Sequence, residues 1–157
     1  MNQSLRNFWQ RSLSDKWLLG QSFFLLGVSR LAIKVLAFRR LAGQMGRISE
    51  ESAGTITDEE LSATRRVSWA VTRASQFTPW KSNCFPQAIT AQYLLRRRGI
   101  SSTLYLGCLM RNEGGMKAHA WLRSGQRIVT GRDGHRAFTV VARFADGRDC
   151  NEEGTQR

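Results

Sequence analysis

The stretch Ser82-Asn83-Cys84-Phe85-Pro86-Gln87-Ala88 decides how this chain is read. Beyond it Ala88, Ala91, Gln92, Leu94 and Leu95 recur at helical spacing, and Gly99 follows Arg96-Arg97-Arg98 where a helix would stop. Ser82 and Asn83 are helix-capping residue types. Pro86 is compatible with a first turn, where a backbone N–H has no intrahelical partner in any case. The pattern predicts a helix that opens at Cys84 and holds a thiol at its N-terminus. Exposed amides and the helix dipole favour negative charge there, so they suit a thiolate or a developing oxyanion. The other role for a cysteine in such a place is that of a small buried hydrophobe. A partner for thiol chemistry follows at His119, in Lys117-Ala118-His119-Ala120-Trp121-Leu122.

After the cysteine helix the apolar period changes from 3.6 to 2. Residues 103–110 read as a strand, with a loop at Asn112-Glu113-Gly114-Gly115. In residues 117–123, Ala118, Ala120 and Leu122 face one way, and His119 shares the other face with Lys117, Trp121 and Arg123. Ser124-Gly125 and Gly131-Arg132-Asp133-Gly134 are turns that lead into strands at 127–130 and 138–144, and the tail from Ala145 reads as polar and frayed. Upstream, Thr57 and Glu60 match a capping box, with Leu61, Val67, Val71 and Ala74 continuing a helix that ends before Pro79. Helices followed by strands imply an α+β fold in which the cysteine helix packs on an antiparallel meander.

The 157 residues suffice for one domain with a helical appendage, and the formal net charge of +12 calls for an acidic partner. Charge alone does not choose between nucleic acid, anionic lipid and an acidic peptide or protein. No helix-turn-helix, zinc-finger or RNP-like pattern is present and the basic residues are scattered, which argues against nucleic acid. Cys84, Cys108 and Cys150 are odd in number and widely spaced, the pattern of a reducing compartment rather than of a disulfide framework. With His119 and His135 the only histidines, the sequence has no metal-ligand spacing. No signal-peptide layout is present, so the expected location is the cytoplasm.

Residues 17–38 are the most apolar part of the chain, but the uncharged run stops at Arg30 and is too short to span a bilayer, which takes about 20 residues. Phe24, Val28, Leu31, Val35 and Phe38 share one helical face with Arg30 and Lys34 off it, an amphipathic pattern. Up to Arg47 the chain has eight basic residues against Asp15 alone. Such a helix either rests peripherally on an anionic membrane or packs on the domain with a solvated basic face. Three parts result: a basic amphipathic helical region at 1–48, a core at 57–145 beyond a polar connector, and a polar tail at 146–157.

Taken together, Cys84-Phe85-Pro86-Gln87-Ala88, Leu94-Leu95-Arg96-Arg97-Arg98-Gly99-Ile100, Leu104-Tyr105-Leu106-Gly107, Ala118-His119-Ala120-Trp121, Val129-Thr130-Gly131 and Phe138-Thr139-Val140-Val141-Ala142-Arg143-Phe144 resemble the transglutaminase-like cysteine protease of lasso-peptide biosynthesis. The likeness is to the protease half of the split B protein and extends over residues 17–144. It implies a papain/transglutaminase-like fold and removal of the leader from a ribosomally synthesised precursor peptide, often just after a penultimate threonine. It also implies two protein partners: a PqqD-like leader-binding protein, and an ATP-using, asparagine-synthetase-like macrolactam cyclase that closes the freed core amine onto an Asp or Glu side chain. Cys84 corresponds to the nucleophile and His119 to the general base, and hydrolysis by such a pair needs no cofactor.

The third catalytic member departs from the family's pattern. Many relatives have an Asp twelve residues after the histidine, and this chain has Gly131 there. Asp133 is the nearest carboxylate. It either orients His119 or is a plain turn residue before Gly134, in which case a backbone carbonyl or another side chain takes the role. His135 reads as a surface turn residue. Trp121 and Trp80 either line the cleft against substrate or belong to the core. Cys108 reads as core and Cys150 as incidental. Two other functions fit the same residues: a transglutaminase-like acyltransferase or crosslinker, and a non-catalytic basic scaffold for an acidic partner or a membrane surface.

Overall fold

Thr57 caps its helix as its sequence requires: its hydroxyl accepts from the Glu60 amide at 3.2 Å, and the Glu60 carboxylate accepts from the Thr57 amide at 2.8 Å. The computed structural model describes residues 12–110 and 114–147. Its helices are α1 (Leu13–Val35), α2 (Phe38–Gln44), α3 (Asp58–Ser75) and α4 (Cys84–Arg96). Its strands are β1 (Arg47–Ile48), β2 (Ser102–Met110), β3 (Met116–Ser124), β4 (Arg127–Thr130) and β5 (Thr139–Asp146), with a short 3-10 turn at His135–Ala137. Asp58, Glu59 and Glu60 stand in the first turn of α3, where the dipole favours them. Thr57→Ala is expected to cost about 1 kcal/mol, read as a lowered midpoint in urea unfolding.

Helix α4 opens at Cys84, but Ser82 and Asn83 do not cap it through their side chains. Asn83 makes no side-chain cap, the Ser82 hydroxyl goes to Thr78 at 2.7 Å, and Gln87 Nε2 donates to the Ser82 carbonyl at 2.8 Å. Gly99, at φ +69°, ends the helix and lets the Ile100 amide reach back to the Leu95 carbonyl. Ala88, Ala91, Leu94 and Leu95 are buried, because α4 lies between β2–β4 on one side and α1 and α3 on the other. Val67 and Val71 of α3, Leu104 of β2, Leu122 of β3 and Phe144 of β5 complete this core.

All strand pairings are antiparallel, in the order β1-β5-β2-β3-β4. The expected α+β arrangement is present, but the strands do not form a simple meander: β5 passes over to the free edge of β2 instead of pairing with β4. Strand β4 is only four residues long, and the chain after it turns through Gly131 and Gly134, both at positive φ, and crosses past β3. Strand β5 also runs on through Ala145 and Asp146, where the sequence reads as a frayed tail. Ala145 is buried and paired with both Thr103 and Arg47, and Asp146 forms an ion pair with Arg96. Cys150 and the loop residues Asn112 and Glu113 lie outside the described residues.

Helix α1 packs against α3 and α4, yet the stripe it buries is not the apolar one read from its sequence. Leu18, Ser22, Leu26 and Ser29 face inward, with the Ser22 hydroxyl donating to the Leu18 carbonyl at 2.8 Å and Ser29 paired with Thr90 at 3.0 Å. The inner face alternates leucines with serines, and at Gly27 the Trp80 ring, from the α3–α4 connection, packs so closely that a Cβ would come 3.0 Å from it. Phe24, Val28, Leu31, Val35 and Phe38 are turned to solvent, so the outer face is apolar rather than basic; Trp17 (71% exposed) and Phe24 (70%) are typical. With Arg30 and Lys34 as its late charges, the 23-residue helix is long and apolar enough to cross a membrane by length and composition, although its uncharged run is shorter.

Candidate active site

Because α4 starts at Cys84 without a side-chain cap, and Pro86 has no N–H, Gln87 supplies the first amide bonded back to residue 83. The amides of Cys84 and Phe85 in this first turn have no intrahelical acceptor, and the thiol beside them is half-buried and free. Cys84 lines a cavity of about 450 Å³ together with Gln87, His119, Thr130, Gly131 and Asp133. The sheet delivers His119 to this wall from mid-β3, opposite Gly107 of β2.

The imidazole is held on three sides. Its Nε2 lies 2.8 Å from the Gly131 carbonyl oxygen. A carbonyl only accepts, so Nε2 carries the proton and Nδ1 is left with its lone pair as the base. Phe138 and Trp121 flank the ring at centroid distances of 5.0 and 5.8 Å. Trp121 in turn stacks on Tyr105 at 5.5 Å, and the Tyr105 hydroxyl accepts from Arg123 Nε. Burial pushes the Tyr105 phenol above its ordinary range, against the lowering effect of the Arg123 hydrogen bond, so this support stays neutral. Gly107 makes room for the stack: a Cβ there would fall 2.8 Å from the Trp121 ring and 2.9 Å from Phe138.

Of the residues singled out in the sequence, Cys84, His119 and Asp133 share the cavity. Asp133 is exposed, and among the described residues no hydrogen bond joins it to His119; the position facing the imidazole belongs to the Gly131 carbonyl. Neither indole is among the lining residues of this cavity. Trp121 is 5% exposed and supports the imidazole from beneath. Trp80 packs on Phe23 and Gly27 of α1. His135 Nδ1 donates to the Arg132 carbonyl at 2.6 Å, so the ring carries a proton there.

The backbone carbonyl that the sequence leaves open as one alternative to Asp133 is that of Gly131. Its φ is +70°, and a Cβ would sit 2.3 Å from the Ala120 carbonyl oxygen. Only glycine lets the chain press this closely on β3, and that approach is what brings the carbonyl to the histidine. The signal was a glycine where a carboxylate is usual, but a main-chain acceptor leaves no residue type to read. Gly107 was visible only as part of a motif. Among the described residues no group of three or more His, Cys, Asp or Glu side chains forms a metal site.

Residues 25–143 match the family model described as the transglutaminase-like superfamily. The chain belongs to that superfamily. No curated protein and no solved structure matches it at a significant level. Transglutaminase-like proteins are usually catalytic, as cysteine proteases or acyl transferases. The geometry suits that chemistry: a thiol at a helix start, an imidazole with its free nitrogen available, and two backbone amides for an oxyanion.

Proposed function

We propose that this transglutaminase-like protein is a cysteine peptidase that removes the leader from a lasso-peptide precursor. The observation that carries the reading is the Nε2–Gly131 hydrogen bond, which leaves His119 Nδ1 as a base in the cavity that Cys84 lines. In the proposed reaction Nδ1 takes the thiol proton as Cys84 Sγ bonds to the carbonyl carbon of the last leader residue. The oxygen becomes an oxyanion facing the Cys84 and Phe85 amides. The C–N bond breaks, the proton passes from Nδ1 to the leaving core amine, and water then cleaves the thioester with His119 again as base. The motifs in residues 17–144 support hydrolysis over acyl transfer to an amine. They also support the working partners: a PqqD-like protein that presents the leader, and an asparagine-synthetase-like cyclase that takes the core.

The test is mass spectrometry of the cognate precursor incubated with the protein and its leader-binding partner. The expected products are free leader and free core. A precursor that keeps its leader and gains an amine would instead identify an acyltransferase, and an unchanged precursor would leave a basic scaffold.

The outer face of α1 favours a cytoplasmic enzyme working at an anionic membrane surface. Leu13, Trp17, Phe24, Leu31 and Val35 are exposed along one side, and Lys34, Arg39 and Arg40 are exposed at its end. Phosphatidylglycerol-containing vesicles are expected to co-sediment with the protein, and Trp17→Glu/Phe24→Glu is expected to abolish this while leaving precursor cleavage in solution intact. Equal sedimentation of both proteins, or none with the wild type, counts against lipid as the occupant of that face.

A further inference from the structure

The cavity at Cys84 continues beyond the catalytic pair. Arg127, Ile128 and Arg132 line both it and a second cavity of about 610 Å³, which Arg136 and His135 also wall, so the two are parts of one groove. Three arginines line it. Among the described residues none of Arg127, Arg132 and Arg136 forms an ion pair, whereas Arg47, Arg66, Arg96, Arg123 and Arg143 all do. Among the described residues Asp133 is the one carboxylate on the lining of either cavity. Arg127 Nε is fully buried with no hydrogen-bond partner. Thr130, only 3% exposed, lines the groove with its hydroxyl equally unpartnered. Those two atoms are closed off from solvent, so the side chains that a ligand in the groove meets are the exposed Arg132 and Arg136, and a guanidinium is best matched by a carboxylate.

We infer that this groove seats a substrate segment bearing carboxylate side chains close to the scissile bond, with Arg132 and Arg136 as specificity-determining residues and Arg127 at the junction. The inference rests on reading the Cys84 cavity as the peptidase site, and it adds the chemical class of what lies beside that bond: an acidic stretch of peptide. Charge selection of this kind acts through residues around the reacting atoms, so it operates whether or not turnover occurs.

The experiment uses the full chain carrying Cys84→Ala and two fluorescein-labelled probes, a short peptide of alternating Gly and Glu and its Gly/Gln counterpart, with binding read by anisotropy. The Glu peptide is expected to bind about tenfold more tightly than the Gln peptide, and Arg132→Gln/Arg136→Gln is expected to erase that preference. Both arginines are exposed, so the fold is retained. Arg39→Gln/Arg40→Gln, remote from the groove, is expected to leave the preference unchanged. In the wild-type chain the Glu peptide is expected to slow alkylation of Cys84 by iodoacetamide. Equal binding of the two probes, a preference that survives Arg132→Gln/Arg136→Gln, or binding that leaves alkylation of Cys84 at its free rate would each overturn the proposal. Because the binding assay needs no turnover, a chain that binds the Glu peptide but cuts no precursor fails only as a peptidase. One that cuts without regard to acidic residues fails only here.

Discussion

Cys84→Ala is expected to abolish precursor cleavage, a loss of about four orders of magnitude or more in kcat, with the thermal midpoint close to that of the wild type. The side chain is half-buried and free, so truncating it to a methyl removes one sulfur and no hydrogen-bonded network. Helix α4 keeps its start, because the bonds that organise it come from Gln87 and the Asn83 carbonyl. His119→Gln is expected to reduce kcat to a similar degree, since the pair acts as a unit and Gln has no nitrogen able to take a proton. Combining the two substitutions should therefore cost little more than either alone. Single-turnover assays followed by mass spectrometry check this, with circular dichroism showing that the fold persists. Full activity in Cys84→Ala would place the nucleophile elsewhere and remove the peptidase assignment.

Placing the family's usual residue at Gly131 is expected to damage the enzyme rather than improve it. Gly131→Asp puts a Cβ where the Ala120 carbonyl already lies, 2.3 Å away, and holds an L-residue at φ +70°. The φ penalty is about 1 kcal/mol and the overpacking about 1–3 kcal/mol more, enough to shift β4 or break the contact with His119. Displacing the carbonyl frees the imidazole to rotate and to change tautomer, so kcat is expected to fall about a hundredfold with KM less affected. Asp133→Ala is expected to leave kcat within about threefold, because an exposed carboxylate that makes no bond to the ring has little to lose. Kinetics of both variants beside their unfolding midpoints separate the two candidates for the orienting role. A large loss in Asp133→Ala with an active Gly131→Asp would return that role to the carboxylate.

How legible this site is in the sequence depends on where the information is stored. The helix starts at Thr57 and Cys84, the change of period after Gly99 and the positions of Cys84 and His119 all rest on side-chain identity and local spacing, and these survive in a one-dimensional reading. The capping role of Ser82 and Asn83 does not, because capping residue types are permissive and here the Ser82 hydroxyl finds Thr78 instead. The strand order also escapes. Period-2 patterning marks a strand and its two faces but says nothing about which edge a returning strand takes, so β5 reads as the end of a meander although it pairs with β2.

The N-terminal helix shows the same divide in packing terms. Its sequence contains two usable faces, one large and apolar, the other mixing leucines with serines. The amphipathic rule selects the first as the buried one. The tertiary structure selects the second, where Leu18 and Leu26 enter the core and Ser29 bonds across to Thr90 of α4, while Trp80 closes over Gly27.

By itself, the amino-acid sequence determined that this is an α+β protein with a cysteine at a helix start and a histidine in the following sheet. Those features are properties of residue types at fixed intervals. Only the tertiary structure decided that a main-chain oxygen, rather than Asp133, meets the imidazole, that Trp121 supports the ring from below, and that the apolar face of α1 looks outward. Each of these is settled by how closely two backbones approach, and that distance is set by the packed core rather than by any local run of residues.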